Sequence, residues 1–208
     1  MKKIKSMSIA FILCILLVGC KNEELSTDFT IAGTIADYTT GTIDSIKFVY
    51  LDNDYLLGEG KVSSSGQFSI KIPTPEVHKI GKSFNDIAVS DTNALVSSFI
   101  ISYGYKGGVK KGFVFKTNFT NFSSTNDNET TLMFFFSDRP LTIKGTMSHS
   151  TDSYSEIYDL VFKKGWNEFI TSTDYTKTNP YSIHTISYSN TIPSDLKWRY
   201  IPVIHKVE

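Results

Sequence analysis

From Phe29 onward, apolar and polar positions alternate. Phe29, Ile31, Gly33 and Ile35 share one face of an extended chain, and Phe68-Ser69-Ile70-Lys71-Ile72 repeats the pattern up to Pro73. Alternation over four to eight residues, bounded by Gly, Pro, Asp or Asn, is the signature of a half-buried strand. Further runs of this kind are Ile46–Leu51, Tyr55–Val62, Ile87–Val89, Leu95–Tyr105, Phe113–Thr117, Leu141–Met147, Tyr181–Tyr188 and Trp198–Val203. In the run from Leu95, residues Phe99, Ile101, Tyr103 and Tyr105 share a face. Asp52-Asn53-Asp54 and Ser63–Gly66 supply turn chemistry. Gly107-Gly108 predicts a hairpin, and Lys163-Lys164-Gly165 predicts another between Tyr158–Phe162 and Trp166–Ile170. Thr131–Phe136 is almost wholly apolar, as expected of a central strand buried on both faces. Asn118–Glu129 reads as an exposed loop. Residues 74–85 read as a loop, and no helix is expected after the leader; Val77–Phe84 is the best candidate, of one or two turns at most. The predicted fold is all-β, an antiparallel β-sandwich of about twelve short strands. No Pro/Gly/Ser-rich linker divides the segment, which favours one domain over 28–208; two lobes, 28–138 and 139–208, are the alternative.

The first residues follow another rule. Lys2, Lys3 and Lys5 precede an apolar run from Ile9 to Val18, which closes on Leu17-Val18-Gly19-Cys20. The run is about half of what a helix needs to span a bilayer, and its flanks are those of a signal peptide. Together these residues resemble the signal peptide and lipobox of bacterial lipoproteins. The resemblance implies cleavage after residue 19, a diacylglycerol on Cys20, and a fatty acid such as palmitate on the new amine. Acyl chains contribute about 0.8 kcal/mol per buried CH₂, so two or three of them hold a protein on a membrane. Residues 20–27 then form the lipidated cysteine and a polar tether. Glu23 and Glu24 resemble the acidic sorting signals of surface-exposed lipoproteins in Bacteroidota-type bacteria, which implies the outer membrane and exposure at the cell surface; a solvated linker is the alternative reading. The seven tether residues from Lys21 to Thr27 reach at most about 25 Å, so the folded part stays close to the lipid.

Loss of residues 1–19 takes three Lys and no acid. The 21 basic and 21 acidic residues of the chain become 18 against 21, a formal charge of −3. No basic field for nucleic acid remains. Cys14 leaves with the leader, and Cys20 is expected to carry lipid, which leaves no disulfide and no cysteine metal site.

The pattern Ile31-x-Gly33-x-Ile35, Val62, then Gly66-Gln67-Phe68-Ser69-Ile70 resembles the carboxypeptidase-regulatory or transthyretin-like β-sandwich module. The resemblance covers residues 29–72 and implies a non-catalytic spacer or binding unit. The phrase from Tyr158 to Asn167 resembles a recurring hairpin of uncharacterised Bacteroidota lipoproteins, which brings no activity with it.

Candidate chemistry is sparse. His78, His149, His184 and His205 are far apart and in no ligand spacing. Asp52, Asp54 and Glu59 are the best oxygen ligands for Ca²⁺, but their spacing is not that of an EF-hand. There is no G-x-S-x-G nucleophile motif. No cofactor is implied, and an enzyme is not expected. The aromatic content is the unusual feature, with 11 Tyr, 15 Phe and two Trp. Tyr and Trp can sit half exposed. Trp166, Trp198, Tyr103 and Tyr105, with Tyr154, Tyr175, Tyr181 and Tyr188, are therefore candidates for stacking on a sugar, and core packing is the alternative. The sequence points to a lipid-anchored, non-catalytic binding or structural module. Its partners are the membrane and either a glycan, in a polysaccharide-uptake system, or a protein of an envelope or pilus complex.

Overall fold

A computed structural model describes residues 29–80, 87–121, 129–149, 154–177 and 182–203. The leader, Cys20 and the tether lie outside the described residues. Among the described residues every regular element is a strand. In order they are β1 (Phe29–Thr34), β2 (Ser45–Tyr50), β3 (Leu56–Lys61), β4 (Gln67–Ile72), β5 (His78–Lys79), β6 (Ile87–Val89), β7 (Leu95–Val96) and β8 (Ile100–Lys106). Then follow β9 (Val109–Thr117), β10 (Glu129–Ser137), β11 (Leu141–His149), β12 (Tyr154–Phe162), β13 (Gly165–Lys177), β14 (Ser182–Ser189) and β15 (Lys197–Pro202). The chain is all-β and sandwich-like, as the alternation predicts.

The strands among the described residues are fifteen rather than about twelve because short pieces appear where longer runs are expected. The run from Leu95 to Tyr105 breaks into β7 and β8 at Ser97. There the Ser97 amide donates to the Phe136 carbonyl, and the Phe136 amide donates to Ser97 Oγ, both at 3.0 Å. In the segment expected to be a loop, His78 and Lys79 pair with β7, and residues 81–86 lie outside the described set. The Gly107-Gly108 hairpin forms as expected: both residues have positive φ (55° and 79°), the conformation a tight two-residue turn requires of glycine.

β1 and β4 make a two-stranded sheet, and the other thirteen strands form one large sheet. One stretch of it runs β10-β13-β14-β12-β11-β6. The expected hairpin of β12 with β13 does not form: β14 lies between them, parallel to β12 and antiparallel to β13. The Lys163–Gly165 turn is present but spans this extra strand. The buried Asn167 pins it, with Oδ1 accepting from the Lys163 amide and Nδ2 donating to the Lys163 and Gly165 carbonyls, each at 2.9 Å.

Two hydrophobic cores lie on opposite faces of β10 and β13. Leu132 and Phe134 of β10, with Trp166 and Ile170 of β13, point into the first core, where they meet Ile31, Phe48, Ile70, Val114 and Trp198. Phe135 and Phe169 point into the second, with Leu141, Ile143, Leu160 and Phe162. Period two explains the division, because neighbouring residues of a strand face opposite ways. It also shows why residues 131–136 lack polar alternation. The cores do not divide at residue 138, since Trp166, Ile170, Leu196 and Trp198 belong with the N-terminal strands.

The first core closes around Trp198. Its carbonyl accepts from the Ala36 amide at 2.7 Å, and Trp198 makes an isolated bridge with Ile35. A Cβ on Gly33 would lie 2.2 Å from Trp198 Cδ1, so the missing side chain of Gly33 is the space the indole fills.

Candidate functional site

The second core is incomplete toward one end of its sheet. There a cavity of about 670 Å³ lies between the sheet and a capping segment. The sheet supplies Phe135, Ile143, Leu160, Phe162, Phe169, Tyr158, Tyr188 and Glu156; the cap supplies His78, Lys79, Ile80 and residues 96–99; Leu51 and Asp52 lie alongside. Leu51 and Phe99 are 55% and 43% exposed, and they mark the side on which the cavity meets solvent. The volume is that of a small-molecule site, and the lining is mostly apolar with a few placed polar groups, as such sites are.

The cap is fastened to the end of β10. Asp138 Oδ1 accepts from the Leu95 amide at 2.8 Å, and the Asp138 amide donates to the Leu95 carbonyl at 2.9 Å. Arg139 Nη2 lies 2.8 Å from Asp138 Oδ2, and Nη1 lies 3.5 Å from Asp91. The hydrogen bond from Arg139 holds the Asp138 carboxyl below its ordinary range, helped by the Leu95 amide and opposed by burial.

Along β12, residues 154, 156 and 158 face the cavity side of the sheet, while Ile157, Asp159 and Val161 are exposed on the other. Glu156 therefore stands between two tyrosines of its own strand. The Tyr154 hydroxyl donates to Glu156 Oε1 at 2.6 Å, and the Tyr158 hydroxyl donates to Oε2 at 2.7 Å. The third donor comes from β14, whose parallel register sets Tyr188 opposite Tyr158. Its hydroxyl lies 3.2 Å from Oε1, and its ring stacks on that of Tyr158 with centroids 4.5 Å apart and planes 5° from parallel. Burial, then the bond to Glu156, raises the pKa of Tyr154 and Tyr158 far above that of a free phenol. Burial, then the charge of Glu156, pushes Tyr188 up to about 12. At neutral pH all three hydroxyls are thus proton donors aimed at one carboxylate.

The other sequence candidates fall elsewhere. Trp166 and Trp198 are 9% and 8% exposed, and both pack in the first core. Trp166 lies against Phe29 and Phe136, and Trp198 against Phe68 and Phe134. Neither ring has a free face for a sugar, so the tryptophan platform is not formed. Tyr103 and Tyr105 are half-buried and share a face of β8, with Lys110 Nζ 3.7 Å from the Tyr103 ring centre and Lys47 Nζ 4.8 Å from that of Tyr105. Of the tyrosines named beside them, Tyr154 and Tyr188 meet at Glu156, whereas Tyr181 and the Tyr175 side chain lie outside the described residues.

Asp52, Asp54 and Glu59 do not converge. Asp52 accepts from Ser98 Oγ at 3.3 Å, Asp54 pairs with Lys110 at 3.5 Å, and Glu59 pairs with Lys47 at 3.4 Å. Among the described residues no group of three His, Cys, Asp or Glu is placed to share a metal ion. His78 lines the cavity; His205 and the side chains of His149 and His184 lie outside the described residues.

Glu156 was not singled out by sequence. Tyr154, Glu156 and Tyr158 keep a period-two spacing, but the run was read as beginning at Tyr158, and Tyr188 reaches the site from 32 residues further on. Comparison with protein-family models, with curated proteins and with solved structures finds no match to this chain.

Proposed function

We propose that the protein is a lipid-anchored, surface-exposed module of the outer membrane that captures a small molecule with an apolar body in this cavity without transforming it. The observation that carries the reading is the cavity itself, roomy and apolar with one tyrosine-held carboxylate on its sheet face. Support for binding rather than catalysis comes from the three tyrosine hydroxyls, which are all directed at Glu156 and hold it in place in the wall of the cavity. The anchor rests on the lysines, the apolar run and Leu17-Val18-Gly19-Cys20. Residues 29–72, which carry the transthyretin-like resemblance, build β1–β4 at the first core and act in this reading as structural support. Capture of a glycan by tryptophan stacking is not favoured, because both indoles are buried.

Two measurements test this. Labelled palmitate is incorporated into the wild-type chain and not into Cys20→Ala, which leaves the membrane fraction; equal labelling of the two would refute the anchor. Native mass spectrometry of the full chain released from a non-ionic detergent shows a small-molecule adduct, lost when Leu160→Trp fills the cavity. The same adducts on both proteins would refute the cavity as the binding site.

A further inference from the structure

The polar end of the cavity specifies what kind of molecule fits. The lining carries two acids, Glu156 on the sheet and Asp52 beside it, against one lysine, Lys79, with His78 on the cap; Glu156 is in none of the ion pairs found among the described residues. A carboxylate has about four acceptor positions. Three hydroxyls fill three of them, which leaves room for about one more donor. The neighbouring surface is aromatic: the Tyr158–Tyr188 pair, stacked on each other, flanks the carboxylate, and the electron-rich rings favour positive charge beside it. Beyond this end the lining turns to Leu160, Phe162, Phe169 and Phe135, with nothing ionic on the sheet face.

We propose, building on the reading of the cavity as a binding site, that its ligand is an amphiphilic cation. A single ammonium group sits against Glu156 and the Tyr158–Tyr188 rings, and an apolar body fills the space over Phe169 and Leu160. The ammonium supplies the ion-pair partner that Glu156 lacks and the one remaining donor. An anionic head would face Glu156 directly, and a purely apolar molecule would leave the carboxylate desolvated with no cation beside it.

The test uses three dansyl sulfonamides whose alkyl chains are of similar length and end in an ammonium, a carboxylate or a methyl group. Each is titrated by fluorescence into the full chain in a non-ionic maltoside, so that the detergent competes equally with all three. The ammonium probe is expected to bind at least about tenfold more tightly than the carboxylate probe. Glu156→Gln removes that preference while the methyl-ended probe still binds; Tyr188→Phe, which frees an acceptor position but keeps the charge, retains it. Equal binding of the ammonium and carboxylate probes overturns the cationic ligand, and binding of the methyl-ended probe in that case leaves the cavity reading standing. Binding of none of the three overturns both. Should Glu156→Gln fail to fold, the comparison of the three probes on the wild-type chain decides by itself.

Discussion

Gly33→Ala is the substitution whose cost the structure states most directly. Gly33 lies in β1 opposite Phe68, and glycine within a strand ordinarily weakens it by about 0.5–1 kcal/mol relative to alanine. On propensity alone the change would stabilise. The packing reverses the sign. The new Cβ would lie 2.2 Å from Trp198 Cδ1 and 2.4 Å from Nε1, so reaching ordinary contact at 3.4 Å requires a movement of roughly 1.2 Å. The indole has little freedom to make it, with Phe68 edge-on at 5.0 Å and Phe134 stacked at 6.3 Å. Overpacking of this kind costs about 1–3 kcal/mol, and for a chain of this length about 2–4 °C of Tm accompanies each kcal/mol. Thermal unfolding followed by far-UV circular dichroism should therefore show a loss of several degrees. The loss should largely vanish in a Trp198→Phe background, where the smaller ring leaves room, with a coupling of about 0.5–3 kcal/mol in the double-mutant cycle. A Gly33→Ala protein as stable as the wild type, or a loss that simply adds to that of Trp198→Phe, would refute the claim that the indole occupies the place of a side chain.

Three further outcomes are expected. Asn167→Ala removes three hydrogen bonds from the Lys163–Gly165 turn and leaves partly buried backbone groups unpaired, so chemical denaturation should show a loss of about 1–3 kcal/mol; an unchanged midpoint would count against the turn's role. Asp138 has a lowered pKa in the fold, so its contribution is present above the unfolded value near pH 4 and is lost as pH falls through the folded value; Asp138→Asn should be less stable at neutral pH and flatter in its stability profile below about pH 4, and parallel profiles would argue against it. The tyrosines at Glu156 have raised pKa values, so their contribution is present below about pH 10 and is lost above it; Tyr188→Phe should soften the alkaline loss of stability, and phenolate absorbance should show these groups ionising after the exposed ones, which a single transition near pH 10 would contradict.

What was legible in the sequence was local. Alternation in β1 and β4, glycine at 107 and 108, and the apolar run of β10 each report on one strand and its two faces, and each led to the element found. Pairing is not local. Nothing between Tyr158 and Ile170 announces that β14 will insert between β12 and β13, because that choice is made by partners on other strands. The tryptophans show the same limit. An indole suits a core or a half-exposed ledge equally well, and what decided for Trp198 was a glycine 165 positions earlier. The binding-site reading was out of reach for the same reason, since Glu156 is an unremarked acid until Tyr188 is placed beside Tyr158.

The bridge from Trp198 back to Ile35 has a consequence for how the chain comes into being. A polypeptide is made from its N-terminus, and β1–β4 are complete long before β15 emerges. Yet the first core needs Leu196 and Trp198 to fill it, and β9 waits for the same strand as a partner. Until β15 is made the early strands hold apolar faces and open edges, the condition in which β-rich chains bind chaperones or one another. A chain that stops before β15 would keep nearly all of the second core and leave the first without its plug. Its natural fate is then retention or proteolysis rather than a smaller working protein.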